Sequence, residues 1–215
     1  MSTTLDDGPD QRFSTTLRER TMADHGDAEG STLMGDLMAG TLERARIGDM
    51  LAQHLIVYRA LERTAETFRG DPVVAPFLSD DLARTPALEH DVAALLGAEA
   101  VAAPTPRPAT AAYVARIEGT TDWPGGFVAH HYTRYLGDLS GGQHIGRVVA
   151  RAYADLDVRF YTFDRIASPK AVKEAYRAQL DRSPWSDEER ERIIDEVRVA
   201  YALNTDLFRQ LDQPA

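Results

Sequence analysis

Four glycines close together constrain this chain more than any other feature. They lie in Tyr-Leu-Gly-Asp-Leu-Ser-Gly-Gly-Gln-His-Ile-Gly, residues 135–146, as Gly137, Gly141, Gly142 and Gly146. The flanking segments "FVAHHYTR" and "RVVARAYADL" both read as helix. Each glycine inside a helix costs roughly 1 kcal/mol relative to alanine. Four of them use a sizeable part of the ~5–15 kcal/mol that holds a domain together. On a helical wheel Gly141 falls about 40° from Gly137, Gly142 about 140° and Gly146 about 180° away. Gly137 and Gly141 thus strip side chains from one narrow face, and the adjacent pair Gly141–Gly142 predicts a kink. Two readings offset the cost: another helix packs closely on the bare backbone, or a flat ligand lies where a Cβ would collide.

The rest of the chain supplies a helical frame. A first helix is expected from a Ser14 or Thr15 cap to about Glu29, and a short second one from Ser31 to Gly40. Residues 42–68 read as a long helix, with Ile47, Met50, Leu51, His54, Leu55, Tyr58 and Leu61 at the helical period. Ser79 and Thr85 start two further pieces ending at Gly97, and "AEAVAAPTPRPAT" reads as a linker within one domain. Helices are expected at about 110–118, from Pro124 through the glycines to Tyr153, and over two serine-capped segments, "SPKAVKEAYRAQL" and "SDEERERIIDEVRVAYALNTDLFRQL". "VRFYTF" has strand character, but a lone strand makes no sheet. The fold class is all-α: one helical domain over residues 12–212 after a disordered tail, residues 1–11.

Charge and composition narrow the function. The net charge of −10, from 34 acids and 24 bases, disfavours nucleic acid as a partner. With no cysteine, thiolate metal sites, cysteine nucleophiles and cysteine-held iron–sulfur clusters are excluded. The polar N-terminus is no signal peptide, and no apolar run is long enough for a membrane span, so a cytoplasmic protein is expected.

Several polar residues have both a plain and a chemical reading. His130 and His144 share the azimuth of Gly137, but each is about 10 Å along the axis, too far to ligate a metal above the glycines. His25 and Glu29 stand at i and i+4, where a carboxylate can hold the second nitrogen of a metal-bound imidazole, or form an exposed pair. Asp138, on its own, pairs with Arg134 one turn earlier. Lys173 and Arg177, also i and i+4, form either an anion site or a solvated charged face. Tyr58 reads equally as a core tyrosine.

Taken together, these segments resemble a known family. "HHYTRYLGDLSGGQHIGRVVARAY" is similar to the distal-helix signature of heme oxygenases, and "LRERTMADHGDAEGSTLM" to their proximal helix. "VYRALERTAETFRGDPVVAPF", "ALEHDVAALLG", "VKEAYRAQLDRSP" and "IIDEVRVAYALNTDLFRQL" resemble the remaining helices in order, so the likeness spans about Thr15 to Leu211. The resemblance implies a single-domain bundle with heme between a proximal and a kinked distal helix. It implies oxidative opening of heme b, at once cofactor and substrate, to biliverdin, carbon monoxide and ferrous iron. Dioxygen and an external electron donor of ferredoxin or flavin reductase type are then needed, with no other metal.

Site roles follow from the same likeness. His25 matches the axial iron ligand, with Glu29 beside it. Gly137, Gly141 and Ser140 match the distal face. Asp138 matches the distal carboxylate that orders water near dioxygen, with Tyr58 and Arg134 in its network. Arg18, Lys173, Arg177 and Tyr132 match positions facing the propionates. The implied role is release of iron from heme by a monomeric bacterial-type enzyme. A non-catalytic heme carrier would share His25 and the bare face but has no need of Asp138. A di-iron bundle requires paired Glu-x-x-His motifs, which are missing here, and a thiaminase-type enzyme on this fold requires a cysteine.

Overall fold

The computed structural model describes residues 12–24 and 31–213, so the expected tail at 1–11 lies outside the described residues. Ten α-helices are described: α1 (Phe13–Arg20), α2 (Thr32–Ala39), α3 (Arg44–Thr67), α4 (Thr85–Leu96), α5 (Ala98–Ala102), α6 (Pro108–Glu118), α7 (Pro124–Gly137), α8 (Gln143–Ala152), α9 (Pro169–Arg182) and α10 (Asp187–Asp212). Among the described residues there is no strand, and no helix is long and apolar enough to cross a membrane.

Local signals set most boundaries. Ser31, Ser168 and Ser186 each accept a bond from a backbone N–H of the first turn, at 3.2 Å, as capping serines do. Gly40 ends α2 in the left-handed conformation at φ 74°, which only glycine adopts at no steric cost. Two starts are set from a distance instead. Ser14 lies inside α1 rather than capping it, and its N–H donates to Asp181 of α9 at 2.8 Å. The first amides of α4, Arg84 N–H and Thr85 N–H, donate to Glu62 of α3 at 2.6 and 3.1 Å. The expected linker after Gly97 begins as α5, and Gln53 of α3 pins its remainder through Thr105 and Arg107.

The core is built on α3 and α7. Leu51, Leu55, Tyr58 and Leu61 of α3 are completely buried, and α3 packs on α4, α6 and α7. Helix α7 is enclosed from Gly125 to Leu136, against α10 along one side. A helix buried all round has no wet face, so its polar side chains need protein partners. His130 bonds Glu196 at 2.8 Å, His131 bonds Tyr176 at 3.0 Å, and Arg134 donates to Asn204 at 2.6 Å. These partners fix how α7 is rotated.

The glycine-rich stretch does not simply kink. Residues Asp138–Gly142 form a π-helical turn between α7 and α8, a wider turn often found where a helix carries function. Gly146, beyond it, meets the bundle: a Cβ there would lie 2.8 Å from the Cβ of Tyr161. Gly137 is the opposite case, since a Cβ there meets nothing within 4 Å. Close packing therefore accounts for Gly146 and leaves Gly137 facing open space.

"VRFYTF" forms no strand: a turn closes inside it, with Thr162 N–H donating to the Arg159 carbonyl at 3.0 Å, and side chains hold the rest of its backbone. Asp91 accepts the N–H groups of Arg159 and Phe160 at 2.9 and 2.8 Å. The buried Arg84 donates to the carbonyls of Phe160 and Thr162 and stacks 3.8 Å above the Phe163 ring.

The two glycines should respond oppositely to alanine. Gly137→Ala gains helix propensity without a clash and should stabilise the heme-free protein by ~0.5–1 kcal/mol. Gly146→Ala forces Tyr161 aside, an overpacking that typically costs ~1–3 kcal/mol, and should melt lower than wild type. Thermal melts compare them, and a Gly146→Ala protein that melts higher refutes this packing account.

Candidate functional site

Gly137 stands between two cavities that meet at its backbone. The larger, about 380 Å³, lies between α2, the π turn and α10, and is lined by Met34, Gly35, Gly137, Asp138, Gly141 and Phe208 among others. The smaller, about 240 Å³, opens at α1 and α9 and is lined by Arg18, Tyr132, Ser140 and Arg177. Gly137 and Tyr201 belong to both. Gly35, on α2, is like Gly137 in that an added Cβ meets nothing within 4 Å. Two side-chain-free backbones therefore line one slot, a cradle that fits a flat apolar group.

The two ends of the slot differ in chemistry. At the mouth, burial raises the Tyr132 hydroxyl above its usual range while the positive charges of Arg177 and Arg18 draw it down, so both cations face that hydroxyl. Lys173 donates to Ser140 Oγ at 3.0 Å. The expected base set of Arg18, Lys173 and Arg177 is thus gathered around Tyr132 and Ser140. Ser140 is exposed there and ties Lys173 to the π turn.

The inner end is a buried polar cluster. Tyr58 donates its hydroxyl to the Asp138 carboxylate. Burial raises the Asp138 carboxyl above its ordinary range, against the opposing pull of Arg134, the Tyr58 hydrogen bond and Arg84. Burial, partly opposed by Arg134, pushes the Tyr58 phenol well up, so it remains a proton donor. The plain pairing of Asp138 with Arg134 is not what forms. Arg134 reaches Asn204 instead, and its guanidinium lies 4.8 Å above the Tyr58 ring. The cluster sits beside the bare face and leaves Gly137 clear.

Not every candidate joins this site. His25 and Glu29 lie outside the described residues. His130 faces away, held between Glu196 and the Tyr113 ring, as a hydrogen-bonded core residue. His144 does line the larger cavity. The sequence reading missed Gly35, Met34 and Phe208 as lining residues, and took His54 only as a core position. The one available signal was Gly35, a glycine inside the short helix α2.

The whole chain compares closely with known proteins. A family model for heme oxygenase matches residues 11–210. Rat heme oxygenase 1 is 36% identical over 212 residues, covering 95% of this chain and 73% of that one. The heme oxygenase structure from Leptospira interrogans superposes with a TM-score of 0.87 at 33% identity, covering 93% of this chain and all of that one. Heme oxygenase-1 from Synechocystis, solved in complex with heme, gives 0.87 at 31% identity over 94% and 92% of the two chains. The all-α frame is the fold these solved structures share with this chain. The chain belongs to the heme oxygenase family.

The support behind α7 carries its own pH dependence. Burial alone would raise the Glu196 carboxyl, but bonds from His130 and Arg116 outweigh it and hold it at about 2, against an ordinary 4.5. A depressed carboxyl contributes stability that is complete above the unfolded value and is lost as pH falls through the folded one. Stability should decline as pH falls from about 4.5 towards about 2. Glu196→Gln should flatten that decline in urea midpoints measured against pH; an unchanged acid slope would show that Glu196 is not its source.

Proposed function

We propose that the slot at Gly137 binds heme, with propionates towards Arg18, Lys173 and Arg177 and with the distal face against the backbone of Gly137 and Gly141. As a heme oxygenase, the chain degrades heme to biliverdin. The open backbone of Gly137, flanked by the Tyr58–Asp138 pair and the basic mouth, carries the reading. Bound heme supplies the iron that activates dioxygen and the porphyrin carbon that is oxidised.

The chain's own residues position and protonate. Arginine grips carboxylates through paired N–H groups, so Arg18 and Arg177 orient heme in its plane by its propionates. Tyr132 adds a hydroxyl to the same end. Asp138, set to the side of the bare face and bonded to Tyr58, would pass a proton towards the bound substrate. Tyr58 fixes the carboxylate, and Arg134, anchored on Asn204, fixes the ring of Tyr58. By the family resemblance, His25 would hold the heme iron and Glu29 would steady its imidazole. Carbon monoxide and ferrous iron leave with the bilin. Electrons come from a separate ferredoxin or flavin reductase, no second metal takes part, and a monomer in the cytoplasm releases iron from heme.

Alanine at two positions separates ligation from proton delivery. His25→Ala should abolish normal turnover and alter the heme spectrum, with partial rescue by imidazole. Asp138→Ala should keep heme affinity but slow biliverdin formation by ~10²–10⁴-fold, the usual worth of general acid–base participation. Asparagine, which still holds water, should be milder. Heme titration and bilin absorption under reductant in air provide the readout; Asp138→Ala turning over at the normal rate removes Asp138 from the proton path.

Orientation should depend on the mouth more than affinity does. Exposed charge pairs contribute only ~0–1 kcal/mol, so Lys173→Ala/Arg177→Ala should still bind heme yet yield mixed bilin isomers. The α isomer is expected from wild type. A single unchanged isomer in the double variant would assign orientation to the apolar walls.

A further inference from the structure

The larger cavity is lined by a buried histidine that the reading above does not use. His54 lies on α3 one turn before Tyr58, lines the cavity, and is only 4% exposed. Its ring is set edge-on to Phe160 and Phe208, with centroids 5.5 and 5.7 Å away. Leucine or phenylalanine would fill such a cage at no polar cost, so a histidine here needs a reason. Of its two ring nitrogens, only Nδ1 is enclosed without a hydrogen-bond partner.

A neutral imidazole has one N–H and one lone pair. An orphaned N–H is rarer in folded proteins than an under-used acceptor. The enclosed Nδ1 is therefore the lone pair, and the proton belongs on Nε2, the nitrogen left to face the cavity. Burial first, and then the positive charge of Arg134, hold the ring well below its usual range, so it stays neutral. Arg134 Nε is likewise enclosed without a partner, and Arg134 lines the same cavity.

We propose that His54 is a positioning residue: it presents a neutral Nε2–H to the cavity and holds an ordered water beyond the Tyr58–Asp138 pair. The proposal rests on the heme reading above for its role in the reaction, but not for the tautomer or the water. A neutral donor fixes the orientation of water without adding a proton source that competes with Asp138. It also sets a hydrogen-bonding group among the apolar side chains of Met34, Met38, Ile145 and Phe208 that line the same cavity.

Two measurements test this. In the heme-free protein labelled with ¹⁵N-histidine, nitrogen shifts should assign His54 as neutral and protonated at Nε2, with cross-relaxation to water; His54→Leu identifies the signal. A proton on Nδ1, an imidazolium, or no contact with water overturns the proposal. In the ferrous heme complex with carbon monoxide as probe, His54→Leu should raise the C–O stretching frequency, since a donor dipole nearby lowers it, and His54→Gln should bring it back. A band that stays at the wild-type position in His54→Leu overturns the positioning role, because a purely structural histidine would not move it. If wild type forms no heme complex at all, the heme reading fails, and the ¹⁵N result still decides the tautomer and the water.

Discussion

The enclosure of α7 on every side is the constraint on which the slot depends. A helix with one wet face can roll to relieve strain, but this one cannot. Its histidines and Arg134 are buried, and each has a hydrogen-bond partner on α9 or α10. Losing one of those bonds strands a polar group at a cost of about 1–3 kcal/mol. The rotation of α7 is therefore fixed before any ligand is present. Gly137 then points its missing side chain at open space, and Asp138 points at Tyr58. Burial also holds His131 down at about 3, so this support does not change charge near neutrality.

The slot thus combines rigidity and weakness in adjacent residues. The polar bonds behind α7 are inside the bundle, whereas the π turn Asp138–Gly142 has few side chains with which to pack. Regions poor in buried contacts open at low cost. A flat ligand that must be admitted and a ring-opened product that must leave both benefit from such a segment. Tyr58 and Arg134, to which the proposed function gives the alignment of Asp138, sit on the rigid side.

Much of this was legible in the sequence, and what was not has a common cause. Capping serines, the left-handed Gly40 and the long period of α3 are local, so residues a few positions apart announce them. The bare face at Gly137 was also legible, since missing side chains at helical spacing are visible without knowing what faces them. The different role of Gly146 was not, because Tyr161 reaches it from another segment. The run 158–163 suggests a strand by composition, yet it turns back on itself, and its backbone is held by Asp91 and Arg84, far away in sequence. His54 sat at a core position of α3, and periodicity tells which face a residue occupies but not whether that face meets protein or a cavity.

The π turn has a consequence for how this chain tolerates change. A π turn closes its hydrogen-bonded ring over one residue more than an α turn, so the glycine segment carries a length surplus that the two flanking helices must share. Residues after it are out of step with those before, and that offset brings Gly146 against Tyr161 and His144 and Ile145 to the cavity. Removing one residue between 138 and 142 would give a regular helix of better local energy. Residues downstream would keep their direction, because the wide turn absorbs the extra residue and the two would be lost together. For this stretch length is as informative as composition: the extra residue is what widens the backbone next to Gly137.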